Sequence, residues 1–171
     1  MRKTLALLLL PFLATPALAD PIPTFHSPEA LLDGVYGQIE ASLDWENYDW
    51  ESSFSEHEAF SARLTSLLEE ANEKFYAAGD EIGALDFSVF SYSQDPGGME
   101  FTFSDAKTKG DRSIITVDIA LEGKAWHSLT FFLVDEGAAG WKVDDVLFPP
   151  FEEDAGEPWK LSEYLADPDL P

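Results

Sequence analysis

Gly140-Trp141-Lys142-Val143-Asp144-Asp145-Val146-Leu147-Phe148 is the stretch on which the fold turns. Glu136-Gly137-Ala138-Ala139-Gly140 reads as the turn before it. Pro149-Pro150 ends it, because proline cannot donate to a sheet ladder. Period-two alternation would put Trp141, Val143, Asp145 and Leu147 on one face, with Lys142, Asp144, Val146 and Phe148 on the other. Neither face is purely apolar. The strand is therefore expected to present polar groups to water or to a cavity at some positions.

The same alternation recurs upstream. Met99, Phe101 and Phe103 form one strand pattern. Ser113 to Leu121 form a second, with Ile115, Val117, Ile119 and Leu121 on one face. Glu122-Gly123-Lys124 turns the chain into Ala125 to Val134, where Leu129, Phe131 and Leu133 share a face. With the quoted stretch these runs make an antiparallel meander. Gln94-Asp95-Pro96-Gly97-Gly98 is a turn by its proline and glycine chemistry, and Leu85 to Phe90 reads as a short strand or a helical turn. Downstream, Pro158 to Leu165 suggests a short closing helix.

Helical spacing governs the first half. Ser27 is placed to cap a helix that has Pro28 at its first position and Glu29 beside the positive end of its dipole. Leu31, Leu32, Val35, Tyr36, Ile39 and Leu43 follow as its apolar stripe. Gly34 and Gly37 each weaken that helix by about 1 kcal/mol relative to alanine, unless something packs closely there. Ser55 and Glu58 form a capping box, which predicts a second helix carrying Phe60, Leu64, Leu67, Leu68, Ala71 and Phe75 and ending at Gly79. His57-Glu58 begins a zinc-protease pattern, but position 61 is serine, so the second ligand is missing. Between the helices, Asp44-Trp45-Glu46-Asn47-Tyr48-Asp49-Trp50-Glu51 alternates large rings with acids. Two readings stand for Trp45, Tyr48 and Trp50: rings that close one end of the core, or a partner-binding patch. Helices first and a meander afterwards mean α+β, with the helices packed on one face of a curled sheet.

Met1-Arg2-Lys3, the apolar run Leu5 to Leu10 and Ala17-Leu18-Ala19 have the order of a secretory signal peptide over residues 1–19. That leaves residues 20–171 as a single domain, exported to the periplasm or beyond and without a membrane anchor. The chain has no cysteine, so it has neither a lipobox nor a disulfide. Removing the signal peptide takes two of the ten basic residues and none of the 33 acidic ones, leaving a formal charge of −25. Such a field repels nucleic acid and anionic lipid and suits a basic partner or a saline habitat. A monomer or weak dimer is expected.

The ordering of elements resembles the cone-shaped α+β fold of nuclear-transport-factor-two-like and cystatin-like domains. More closely, the chain resembles an uncharacterised family of secreted bacterial proteins, a domain of unknown function. Four marks carry this: Ser27-Pro28-Glu29; Phe60-Ser61-Ala62-Arg63-Leu64; Leu85 to Phe90 with Gln94-Asp95; and Gly140 to Val146. Ser88 departs from the pattern, where an aspartate would be expected. The resemblance implies a fold and a route of export but no activity.

Enzymes on such a fold place an acid, a base or a tyrosine inside the cone. Tyr36, Asp86, Asp95, Asp118, His127 and Asp145 are the candidates here, Asp118 foremost because it sits mid-strand among isoleucine and valine. Alternation along that strand puts Asp118 toward water instead. There is no nucleophile elbow, P-loop or dinucleotide fingerprint, and His26, His57 and His127 lack ligand spacing. No catalytic residue, cofactor or metal is therefore expected. The reading is a non-enzymatic binding domain that neutralises or carries a basic protein, much as an immunity protein does. An isomerase, dehydratase or hydrolase using the cone pocket is the alternative. Mass spectrometry of the exported protein should find Asp20 at its N-terminus; retention of residues 1–19 would overturn the targeting reading.

Overall fold

The structure, a computed structural model, describes residues 22–150 and 156–170. The expected signal peptide and the acidic run Glu152-Glu153-Asp154 lie outside the described residues. Three α-helices pack against a six-stranded antiparallel sheet among those residues. The strands are β1 (Met99–Phe103), β2 (Lys107–Lys109), β3 (Arg112–Leu121), β4 (Lys124–Asp135), β5 (Trp141–Phe148) and β6 (Trp159–Lys160). They run in the order β1-β3-β4-β5-β6, with β2 also paired to β3, so the sheet is open and not closed into a barrel. β2 and β6 had no sequence signal. β2 is three residues long and exposed throughout, and β6 takes the first residues of the expected closing helix, which starts at Leu161 instead.

Alternation holds through β3 and β4. Ile115, Val117 and Ile119 point into the core beside Leu129, Phe131 and Leu133, while Asp118 is exposed. A bulge that leaves Trp126 of β4 as the extra residue, opposite the Ile119–Ala120 step of β3, locally bends the pair. Helix α1 (Pro28–Ser42) lays Leu31, Leu32, Val35, Tyr36 and Ile39 against this face, and its cap is Ser27 accepting from the Ala30 amide at 3.1 Å. Of its two glycines only Gly34 is crowded. A Cβ there would sit 2.5 Å from the Phe25 ring, whereas nothing lies within 4 Å of Gly37. The lead-in segment thus packs over α1 where the side chain is missing.

The second helix differs from its expected form. Ser55 and Glu58 do make a capping box, but it caps a separate 3-10 turn, Glu56–Ala59, in which His57 is exposed. Phe60 is extended and bridges Val143 of β5, and the Ser61 amide donates to the Val143 carbonyl at 2.8 Å. Helix α2 (Ala62–Ala77) begins only after that, capped by Ser61 and buried along Leu64, Leu68 and Ala71. Pairing with β5 fixes Phe60 in the β region and so breaks the helical stripe in two. The chain past Leu85 also departs from its expected form. It is a run of turns closed by a Ser88–Ser93 bridge, with Tyr92 at φ 52°.

β5 breaks the simple alternation read from its sequence. Val143 pairs with Leu133 and Asp145 with Phe132, which leaves Asp144 as an extra residue in a bulge. The phase resets there, so Val143, Val146 and Phe148 all reach the core. The two aspartates at the break are both held. Asp144 Oδ1 accepts from the Ser61 hydroxyl at 2.8 Å and from Arg63 Nε at 3.0 Å, and Oδ2 accepts from Arg112 at 2.7 Å. Arg63 also reaches the Asp144 carbonyl. Asp145 accepts from the amide and the hydroxyl of Ser162, in the first turn of α3 (Leu161–Leu165), at 3.0 and 2.7 Å. Lys142 is nearly buried and donates to the Glu58 carbonyl at 2.8 Å. Burial holds its amine below the usual range, with Glu136 and Glu58 opposing.

Two stability predictions follow from β5. Trp141 is buried and its amide donates to the Phe25 carbonyl at 2.9 Å, so truncating the ring in Trp141→Ala should cost ~3–5 kcal/mol in urea unfolding. A loss under ~1 kcal/mol would place that ring outside the core. Asp144→Asn should cost about 1–3 kcal/mol at neutral pH: the amide oxygen can still accept from Ser61, but the amide NH2 then faces Arg112 as a second donor, and the loss is kept small because both arginines are half exposed and screened. Burial opposes ionisation of Asp144, but hydrogen bonds from Arg63, Ser61 and Arg112 outweigh it and hold the carboxyl below its ordinary range. A lowered folded-state pKa gives stability that is present above the ordinary carboxylate range and lost as pH falls through the folded value. Wild type and Asp144→Asn should therefore converge in strong acid; a gap unchanged down to about pH 2 would refute the assignment.

Candidate functional site

The interior is filled with rings. Tyr36 lies 4.7 Å from Phe101, 5.2 Å from Phe103, 6.0 Å from Phe90 and 6.3 Å from Phe131, centroid to centroid. Phe60, Phe90 and Phe131 stack in sequence. A second group joins Phe87, Tyr92, Phe148 and Trp159. The Tyr36 hydroxyl donates to the Phe90 carbonyl at 2.7 Å, so it is engaged within the core. Burial, and then the nearby Glu56 charge, push its phenol well above the ordinary value.

The other candidate acids and bases do not gather around it. Asp86 is exposed and accepts from Gln94, and exposed Asp95 closes its own turn by accepting from the Gly97 amide. Asp145 belongs to the α3 contact described above. Asp118 and His127 do border one cleft of about 320 Å³ beside the β3–β4 bulge. Their side chains diverge, however. Asp118 pairs with Ser128 on the exposed face and accepts its hydroxyl, whereas His127 pairs with buried Ile119 and its ring lies 5.5 Å from Tyr92. Serine, histidine and aspartate are neighbours here, but the Ser128 hydroxyl is given directly to Asp118.

The connection between α1 and the 3-10 turn has another character. Trp45 is 70% exposed and Trp50 61%, and Tyr48 is half-buried with its ring edge-on to Trp50 at 4.5 Å. The rings therefore do not close the core. Local hydrogen bonds shape the loop. Asn47 donates to both oxygens of Asp44, Glu51 donates its amide to Asp49, and Ser53 donates to the Trp50 carbonyl. Gln38 of α1 ties the loop down by exchanging two hydrogen bonds with the Phe54 backbone, at 2.7 and 3.0 Å. Asp44, Glu46, Asp49 and Glu51 ring the aromatics, all exposed.

Two clefts flank Tyr48. The larger, about 500 Å³, runs along Gln38, Ala41, Asp44 and Asp49. The smaller, about 210 Å³, lies between Tyr48, Trp50 and Phe54 and has Glu56 in its wall. Sequence reasoning missed Glu56, because a glutamate in the first turn of a capped segment reads as a dipole partner. Its carboxylate accepts from the Ser88 hydroxyl at 2.8 and 2.9 Å. The ion pairs among the described residues both fall on Asp144, so no described basic side chain is paired with Glu56. Burial pushes its carboxyl above the ordinary range, and the Ser88 hydrogen bond offsets part of that. Ser88 is the position where the resemblance led to an aspartate. A hydroxyl there donates to Glu56, whereas a second carboxylate would repel it.

No described group of histidine, aspartate and glutamate is placed to hold a metal ion, and no described helix is long and apolar enough to cross a membrane. A raised folded-state pKa means that the stability linked to Glu56 is full below the ordinary glutamate range and is lost as pH rises through the folded value. Glu56→Gln should therefore be as stable as wild type or more so at pH 7, with the difference vanishing in acid. A clear loss of stability at pH 7 by urea unfolding would show the charge to be structurally required. A scan against protein-family models and searches of curated proteins and of solved structures found no match to this chain.

Proposed function

We propose that this protein is a secreted or periplasmic binding domain that captures a basic protein partner through Trp45, Tyr48 and Trp50, neutralising or carrying it. The exposure of two tryptophans amid four carboxylates carries the reading. Large exposed rings are unusual on a monomer and are the residue types that anchor interfaces. A mature charge of −25 adds long-range attraction for a cationic surface. The acids steer the encounter and set the association rate, while the rings are desolvated on contact and set the dissociation rate. The same reading takes the fold to be the cone of nuclear-transport-factor-two-like and cystatin-like domains. Helices joined to the sheet in one core and bulges at Trp126 and at Asp144, which bend the sheet, support it. An isomerase, dehydratase or hydrolase inside that cone draws less support, since ring packing fills the space and the Tyr36 hydroxyl is engaged.

Replacing Trp45, Tyr48 and Trp50 together by alanine should leave the fold intact and abolish pull-down of the partner from an envelope extract. Charge reversal of Asp49 and Glu51 should slow association at low salt, and the effect should fade at about 1 M salt, where the Debye length is ~3 Å. An intact triple variant that still captures the partner rules the patch out. Unfolding of that variant would return these rings to the core.

A further inference from the structure

We infer that the small cleft beside Tyr48 is a receptor for a single lysine side chain of that basic partner, with Tyr48 and Trp50 flanking the alkyl stem and Glu56 meeting the ammonium. The inference rests on the proposed function and locates its recognition chemistry. Its geometric basis is the cleft of about 210 Å³, walled by rings and with one carboxylate in its lining. Tyr48 and Trp50, packed edge-on to each other, both line the cleft, and an aromatic face attracts a desolvated cation. Glu56 supplies the opposite charge, and no described basic side chain of this chain is paired with it. An ionised carboxylate has about four acceptor sites, so the Ser88 hydroxyl does not use up the accepting capacity of Glu56.

The same hydrogen bonds favour lysine over arginine. The Ser88 hydroxyl lies 2.8 and 2.9 Å from the two Glu56 oxygens, across the edge that a guanidinium fork would need to face. A bidentate pair is therefore obstructed, whereas a compact ammonium with three rotatable donors needs only one free lone pair. The exposed acids Asp49 and Glu51, on the loop above, keep the approach negative. Burial of Glu56 makes its charge worth more to an incoming cation than any of those exposed carboxylates.

The test is an NMR titration of the wild-type protein with Nα-acetyl-lysine methylamide, following the indole signals of Trp45 and Trp50 and the amides of Gln38 and Ser88. Binding near the millimolar level is expected for one side chain, about 4 kcal/mol in all. The Trp50, Gln38 and Ser88 signals should move and Trp45 should not. The norleucine analogue, with the same stem and no charge, should move none of them, and the arginine analogue should bind more weakly. Glu56→Gln should lower the lysine affinity by about tenfold or more, while urea unfolding shows the variant folded. Equal shifts from norleucine, an affinity unchanged in Glu56→Gln, or a preference for arginine would each overturn the assignment. If lysine fails to bind wild type while partner capture still depends on Trp45, Tyr48 and Trp50, the cleft is excluded and the wider surface stands. If both fail, both are wrong.

Discussion

Everything in this molecule hangs on a break in one strand. β5 lies between β4 on one side and two short extended segments on the other, Phe60-Ser61 and β6. Asp144 and Asp145 sit at the junction between those two segments, where a bulge puts one extra residue into the strand. Each carboxylate turns outward from the ladder and grips the start of a helix, Asp144 through Ser61 and Asp145 through Ser162. Free amides at a helix start want an acceptor, and Asp145 takes the Ser162 amide directly. A regular strand would have sent these residues to opposite faces with no helix start in reach of either. The bulge thus ties both helices to the sheet and keeps Val143, Val146 and Phe148 in the core.

The acidic surface makes this junction more consequential. Only eight basic residues remain after the expected signal peptide, and two of them, Arg63 and Arg112, meet at one aspartate. Both arginines are half exposed, so each pair is worth little by itself. Together they let Asp144 stay ionised in a partly buried site. Lys142 is withdrawn in the same region against the Glu58 carbonyl. The 3-10 turn that supplies this carbonyl also carries Glu56, so the start of α2 and the wall of the small cleft are fixed by one short segment.

Glu56 and Asp144 are opposite solutions to a carboxylate away from water. Asp144 has cationic donors and is held ionised; Glu56 has one neutral donor and is pushed toward its protonated form. The first stabilises the fold. The second works against it at neutral pH, as a carboxylate drawn away from water without a cationic partner must.

Much of the fold was legible in the sequence. The Ser27-Pro28-Glu29 start, the stripe from Leu31 to Ile39, the alternation of Ile115, Val117 and Ile119 and the Gly79 stop all rest on local chemistry and period, which neighbours do not alter. The outward placement of Asp118 was legible for the same reason. What only the tertiary structure decided depends on contacts between distant segments. Phe60 leaves its helix because Val143 offers a backbone partner, and the β5 faces change phase because an extra residue fits opposite β4. Exposure of Trp45 and Trp50 was likewise undecidable locally, since ring–acid alternation suits a lid or a patch equally. The small cleft arises only when Gln38 and Ile39 of α1, Tyr48 and Trp50 of the loop and Glu56 of the 3-10 turn come together, with Ser88 brought to Glu56 from yet another stretch. Period and capping are written into neighbouring residues, whereas a cleft is written into none of them singly.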